Sequence, residues 1–95
     1  MNTFIKLYDW TIETGLGIEE RVILSLIAQF SENNSGFWAG YKAMADRTGI
    51  PKARCKQIVE QLTKTRAVIQ RNAAIFGKTR AVFTLNPEYA RFFIN

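Results

Sequence analysis

The sequence predicts a small α+β domain, mainly helical, with one β-hairpin and additional helices at both ends. Three observations carry this expectation. Apolar residues recur at three- and four-residue spacing through most of the chain. Two short runs, "AVIQRN" (67–72) and "AVFTLN" (81–86), read as strands on either side of Gly77. Between two helical patterns stands "TGIP" (48–51), a glycine and a proline where one helix must stop and the next begin. With 95 residues, 47% of them hydrophobic, the chain is expected to form one domain over 1–95 with a modest core.

Residues 3 to 14 read as a first helix, with Phe4, Leu7, Tyr8 and Thr11 on one face and Ile5 and Ile12 beside it. "TGLG" (14–17) breaks it. Glu19 and Glu20 then sit where a second helix begins, favourable against its positive N-terminal end. That helix, about 18 to 32, has only a narrow polar stripe of Arg21, Ser25, Gln29 and Glu32, so it should be the most buried. "SENNSG" (31–36) reads as a loop and "FWAG" (37–40) as a short extended segment. A third helix, "YKAMADRT" (41–48), ends at Gly49, which suits a left-handed cap. Pro51 fits the first position of a fourth helix, 51–64, because its missing N–H would be unpaired there anyway. The two strands follow, joined through "AAIFGKTR", and "NPEYARFFI" closes the chain with Asn86 as N-cap and Pro87 at the first helical position. Two short helices joined by a glycine-containing turn, then a strand hairpin, is the order of a winged helix-turn-helix.

Composition removes most chemistry. There is no histidine, hence neither the commonest general base nor the commonest zinc ligand. Cys55, the one cysteine, falls on the apolar face of its helix and reads as a small core hydrophobe. No glycine-rich phosphate loop is present, so neither enzyme activity nor a cofactor or metal is expected. The longest apolar stretch, Val22 to Phe30, is interrupted by Ser25 and Gln29 and is far short of the ~18 residues of a membrane span. The start lacks the pattern of a signal peptide, which with the lone cysteine points to the cytoplasm.

Charge is distributed unevenly within a total of +5. Residues 1–40 carry Lys6 and Arg21 against Asp9, Glu13, Glu19, Glu20 and Glu32, a net of −3. Residues 41–80 carry ten cations against Asp46 and Glu60, a net of +8. Such asymmetry suggests a face built for an anionic partner. With Cys55, Ile58, Val59 and Leu62 as the buried stripe of the 51–64 helix, its other side presents Lys52, Ala53, Arg54, Lys56, Gln57 and Lys64. A helix of this diameter fits the major groove of B-DNA, where Lys and Arg reach phosphates or guanine and Gln57 can pair with adenine. Small Ala53 permits close approach. Lys42 and Arg47 belong to the helix that crosses the DNA backbone in this motif, and Lys78 and Arg80, with Arg71 nearby, would serve the hairpin. Glu60 would repel phosphate, so it is expected at the groove edge or paired with Lys56 or Lys64. The competing reading is an ordinary solvated helix. Phe76, at the hairpin tip, could pack on the body, enter a partner or wedge at DNA. Trp10, Phe92 and Phe93 are expected to close the core from one side or to form a homodimer surface.

The stretch "YKAMADRTGIPKARCKQIVEQLTKTRAVIQR" resembles the winged-helix pattern of plasmid and phage replication initiators. With "FIKLY", "GIEERVILSLIAQF" and "VFTLNPEY" added, nearly the whole chain is similar to the RepL-type plasmid replication proteins. The resemblance implies binding to double-stranded DNA at an origin or operator and supplies no catalytic residue. Two positions depart from the pattern. Gly40 replaces a serine-like cap, and Arg66 stands where glycine usually follows the recognition helix, forcing either a left-handed arginine or a different helix end. A transcriptional repressor on the same fold and a protein-interaction adaptor are the alternatives.

Overall fold

The computed structural model describes residues 7–34 and 36–93. Its order is a 3-10 helix (Asp9–Thr14), α1 (Ile18–Asn34), α2 (Gly40–Thr48), α3 (Lys52–Lys64), β1 (Val68–Ile75), β2 (Lys78–Leu85) and α4 (Pro87–Phe93). This is a mixed α+β, winged-helix-like arrangement, and no described helix is long and apolar enough to cross a membrane.

The expected first helix is shorter and tighter than its periodicity suggested. Phe4 and Ile5 lie outside the described residues, Leu7 and Tyr8 are not helical, and Ile12 is exposed. The hydroxyls of Thr11 and Thr14 donate to the carbonyls three residues back, Tyr8 O and Thr11 O, each at 2.6 Å. Bonds of that span compete with the α pattern and suit a 3-10 turn. The segment is anchored to α1 by polar contacts. Arg21 Nε donates to the buried Thr11 hydroxyl at 3.2 Å, and the Tyr8 N–H donates to Ser25 Oγ at 3.3 Å. The Tyr8 hydroxyl donates to Glu32, and its pKa is pushed up to about 12 by burial and then by that carboxylate.

Helix α1 is the centre of the core. Ile23 to Ala28 are buried without interruption, so the middle of the helix is enclosed on every side while Ile18 and Glu32 near its ends stay exposed. It also runs on to Asn34, through residues read as a loop from sequence. Ser31 accounts for part of this, because its hydroxyl donates to Ile27 O at 2.7 Å and accepts from the Leu85 N–H at 2.9 Å, linking the last turns of the helix to β2.

Phe37 adds a bridge to the open edge of the hairpin, exchanging both backbone hydrogen bonds with Phe83 at 2.8 and 2.9 Å. Its buried ring meets Phe30 edge-on, with centroids 5.1 Å apart. The preceding Gly36 has φ +129°, and a Cβ there would lie 2.6–2.8 Å from Val82, Thr84 and the Phe83 carbonyl. Only glycine fits that approach.

Between α2 and α3 the turn forms as the sequence implied. Gly49 is left-handed at φ 76° and its N–H donates to Ala45 O at 2.8 Å. Pro51 is the N-cap rather than the first helical residue, with φ −55° and ψ 144°, and its carbonyl accepts from Cys55 N at 2.9 Å. Restriction of φ by the ring suits either place. At the other end of α3, Arg66 is left-handed at φ 67°. The Arg66 N–H donates to Thr63 O and the Ala67 N–H to Leu62 O, the paired bonds of a Schellman cap built on arginine. The conformation costs about 1 kcal/mol relative to glycine. Asn86 offsets part of it, its side chain donating to Arg66 O at 2.9 Å while its Oδ1 caps α4 at the Glu88 N–H.

Toward the tip the strands extend past the expected 67–72 and 81–86, while Ala67 and Asn86 fall just outside them, and the pairing runs antiparallel from Val68↔Leu85 to Ile75↔Lys78. Phe76 and Gly77 alone form the tip, both left-handed at φ 51° and 80°. A two-residue loop of this kind matches the strand twist and ordinarily favours Asn-Gly.

Candidate nucleic-acid interface

Helix α3 buries Cys55, Ile58, Val59 and Leu62 and exposes Lys52, Ala53, Arg54, Lys56, Gln57, Glu60, Gln61 and Lys64. At ~100° per residue, Ala53, Gln57, Glu60 and Lys64 lie opposite the buried stripe. Lys52 and Lys56 form one shoulder of that face, Arg54 and Gln61 the other. Burial pushes the Cys55 thiol pKa up, the reverse of a reactive thiolate, and its Sγ donates to Ile50 O at 3.4 Å.

Not every expected contact residue points outward. Arg54 Nε donates to Glu19 on α1 at 2.9 Å, and its Nη1 makes a long 3.4 Å bond to Gln57 Oε1. The carboxylate raises the guanidinium pKa further, so Arg54 is always charged and partly neutralised by α1. Glu60 corrects its expectation. It lies near the centre of the exposed face, and among the described residues it forms no ion pair with Lys56 or Lys64 within 4 Å. An exposed pair four residues apart contributes only ~0.3–0.5 kcal/mol, too little to hold two long side chains together. Glu60 instead adds to the raised pKa of Tyr41, where burial is the larger cause.

Lys42 and Arg47 do not act together. Five residues apart on one helix, they point about 140° from each other. Lys42 is exposed and pairs with Asp46 at 3.3 Å, a contact that a phosphate could displace. The Arg47 guanidinium lies 5.0 Å from the Phe30 ring centre, half-buried on α1.

The hairpin brings together what the sequence left scattered. Its register sets Arg71 opposite Val82, Ala73 opposite Arg80 and Ile75 opposite Lys78. Residues two apart on a strand share a face, so Arg71, Lys78 and Arg80 occupy the same one. Arg80 also lies 5.9 Å from the Trp38 ring centre, and Trp38 meets Phe76 at 5.8 Å. Trp38 escaped sequence reasoning, although an aromatic two residues before a cationic helix was a usable signal. Phe76 itself stays 90% exposed rather than packing into the body.

On the opposite side, Trp10, Phe92 and Phe93 do come together, lining with Asp9 and Glu13 an open groove of about 590 Å³. Trp10 packs on the core, but Phe92 is 82% exposed and does not close it.

The fold and the cationic surface define a class, a small winged-helix-like α+β protein with a basic helix face and a basic hairpin. Comparison with protein-family models, curated proteins and solved structures finds no match to this chain.

Proposed function

We propose that this chain binds double-stranded DNA, with α3 in the major groove and the hairpin against flanking phosphates. One observation carries the reading. The chain's cations from 52 to 80 stand on exposed surface of α3, its cap and the hairpin, and between residues 61 and 80 there is no acid at all. Lys52, Lys56 and Lys64 supply phosphate contacts, while Gln57 and the approach allowed by Ala53 supply base preference. Arg71, Lys78 and Arg80 extend the contact. Resemblance to the RepL-type proteins supports a role in plasmid or phage replication or maintenance, in the cytoplasm. A repressor on the same fold would differ in what its site adjoins. Two half-sites would be served by a homodimer through Trp10, Phe92 and Phe93.

Retarded mobility of a random duplex at low salt tests the reading. With about five phosphates contacted, log affinity falls against log salt with a slope of −4 to −5. Lys56→Ala makes that slope shallower by about one. No retardation at micromolar protein overturns DNA binding and favours a protein partner.

A further inference from the structure

The hairpin tip is poorly explained by stability alone. Phe76 holds a left-handed backbone that asparagine or glycine adopts more readily, and it keeps its ring in water. Its ring contact, edge-on to Trp38, leaves the far side of the ring uncovered. The hairpin behind it is paired up to the turn, eight residue pairs in continuous register from Val68↔Leu85 to Ile75↔Lys78. The face of that ribbon bears Arg71, Lys78 and Arg80, with Arg80 held over Trp38. An apolar side chain is thus presented at the end of a fully paired, cationic ribbon.

We infer that Phe76 is a wedge for the minor groove of duplex DNA, entering a base step, partly unstacking it and kinking the helix. The inference rests on the DNA-binding reading above and adds a deformation to it. Charge complementarity selects the occupant: cations beside the ring meet the phosphates that border the groove, and the ring displaces stacking between bases. Trp38 supports one side of the ring, and Arg80 lies over Trp38 rather than over Phe76 itself.

The test is energy transfer between dyes at the two ends of a short duplex selected by the protein from a random pool. Saturating protein shortens the end-to-end distance, as a kink of roughly 20–90° requires. Phe76→Asn, a substitution that suits the turn, leaves retardation within about threefold but returns the end-to-end distance to that of unbound duplex. Phe76→Leu retains most of the kink, and Lys56→Ala weakens binding while leaving the kink of the saturated complex unchanged. Retardation without shortening, or F76N shortening as wild type does, overturns the wedge and leaves DNA binding standing. No retardation at all overturns both. Should wild type but not F76N sediment with phosphatidylglycerol-containing vesicles while both kink DNA equally, the tip serves a lipid surface and the wedge is overturned.

Discussion

Helices α1 and α3 pack against each other but divide the work of the molecule between them. Six successive residues of α1 are buried, and its polar groups are used internally, Ser25 and Ser31 to backbone and Glu32 to Tyr8. Helix α3 buries one residue in three or four and leaves two thirds of its circumference in water. The most buried surface and the exposed cationic surface therefore lie on neighbouring helices. A partner can load the outer side of α3 without disturbing the core.

The comparison breaks most visibly through stability. Ile27→Ala removes a fully buried side chain and should cost about 2–5 kcal/mol, read from urea unfolding followed by circular dichroism. Gln57→Ala, on the exposed side of α3, should change stability by less than about 0.5 kcal/mol. Similar losses from both substitutions would refute the division. The next effect is on binding and concerns the one place where the two helices share a charge. Glu19→Gln releases Arg54 and should tighten duplex binding about threefold to tenfold, steepening the salt slope by about one. Unchanged affinity and slope would show that Arg54 stays away from the phosphates even when unpaired. The smallest effect sits at the cap of α3. Arg66→Gly relieves the left-handed arginine and should raise stability by about 0.5–1 kcal/mol in the same urea assay. A loss of stability there would mean that the arginine side chain contributes more than its backbone costs.

Local chemistry was legible wherever neighbours in sequence decided the outcome. The glycine turn between α2 and α3, the cap at Asn86 and the burial of Cys55 follow from residues close in sequence, whereas Pro51 shifted to the N-cap and only the structure decided between the two helix ends open at Arg66. Elements whose form depends on side-chain hydrogen bonds were less legible. The Thr11 and Thr14 hydroxyls turned an apparent α-helix into a 3-10 helix, and Ser31 helped carry α1 through a polar run. At the candidate interface the gap is one of distance along the chain. Arg54 finds Glu19 thirty-five residues away, and Arg47 finds the Phe30 ring on another helix. The single-faced trio of Arg71, Lys78 and Arg80 exists only once the register is known, because a one-residue slip would divide it between faces.

Cys55 lies directly beneath the exposed face of α3, fully shielded from solvent. An alkylating reagent can reach its sulfur only during moments when the helix lifts from its seat. The chain thus contains a built-in clock for local opening, and duplex bound across the helix would slow it in proportion to how firmly the ligand clamps that element down.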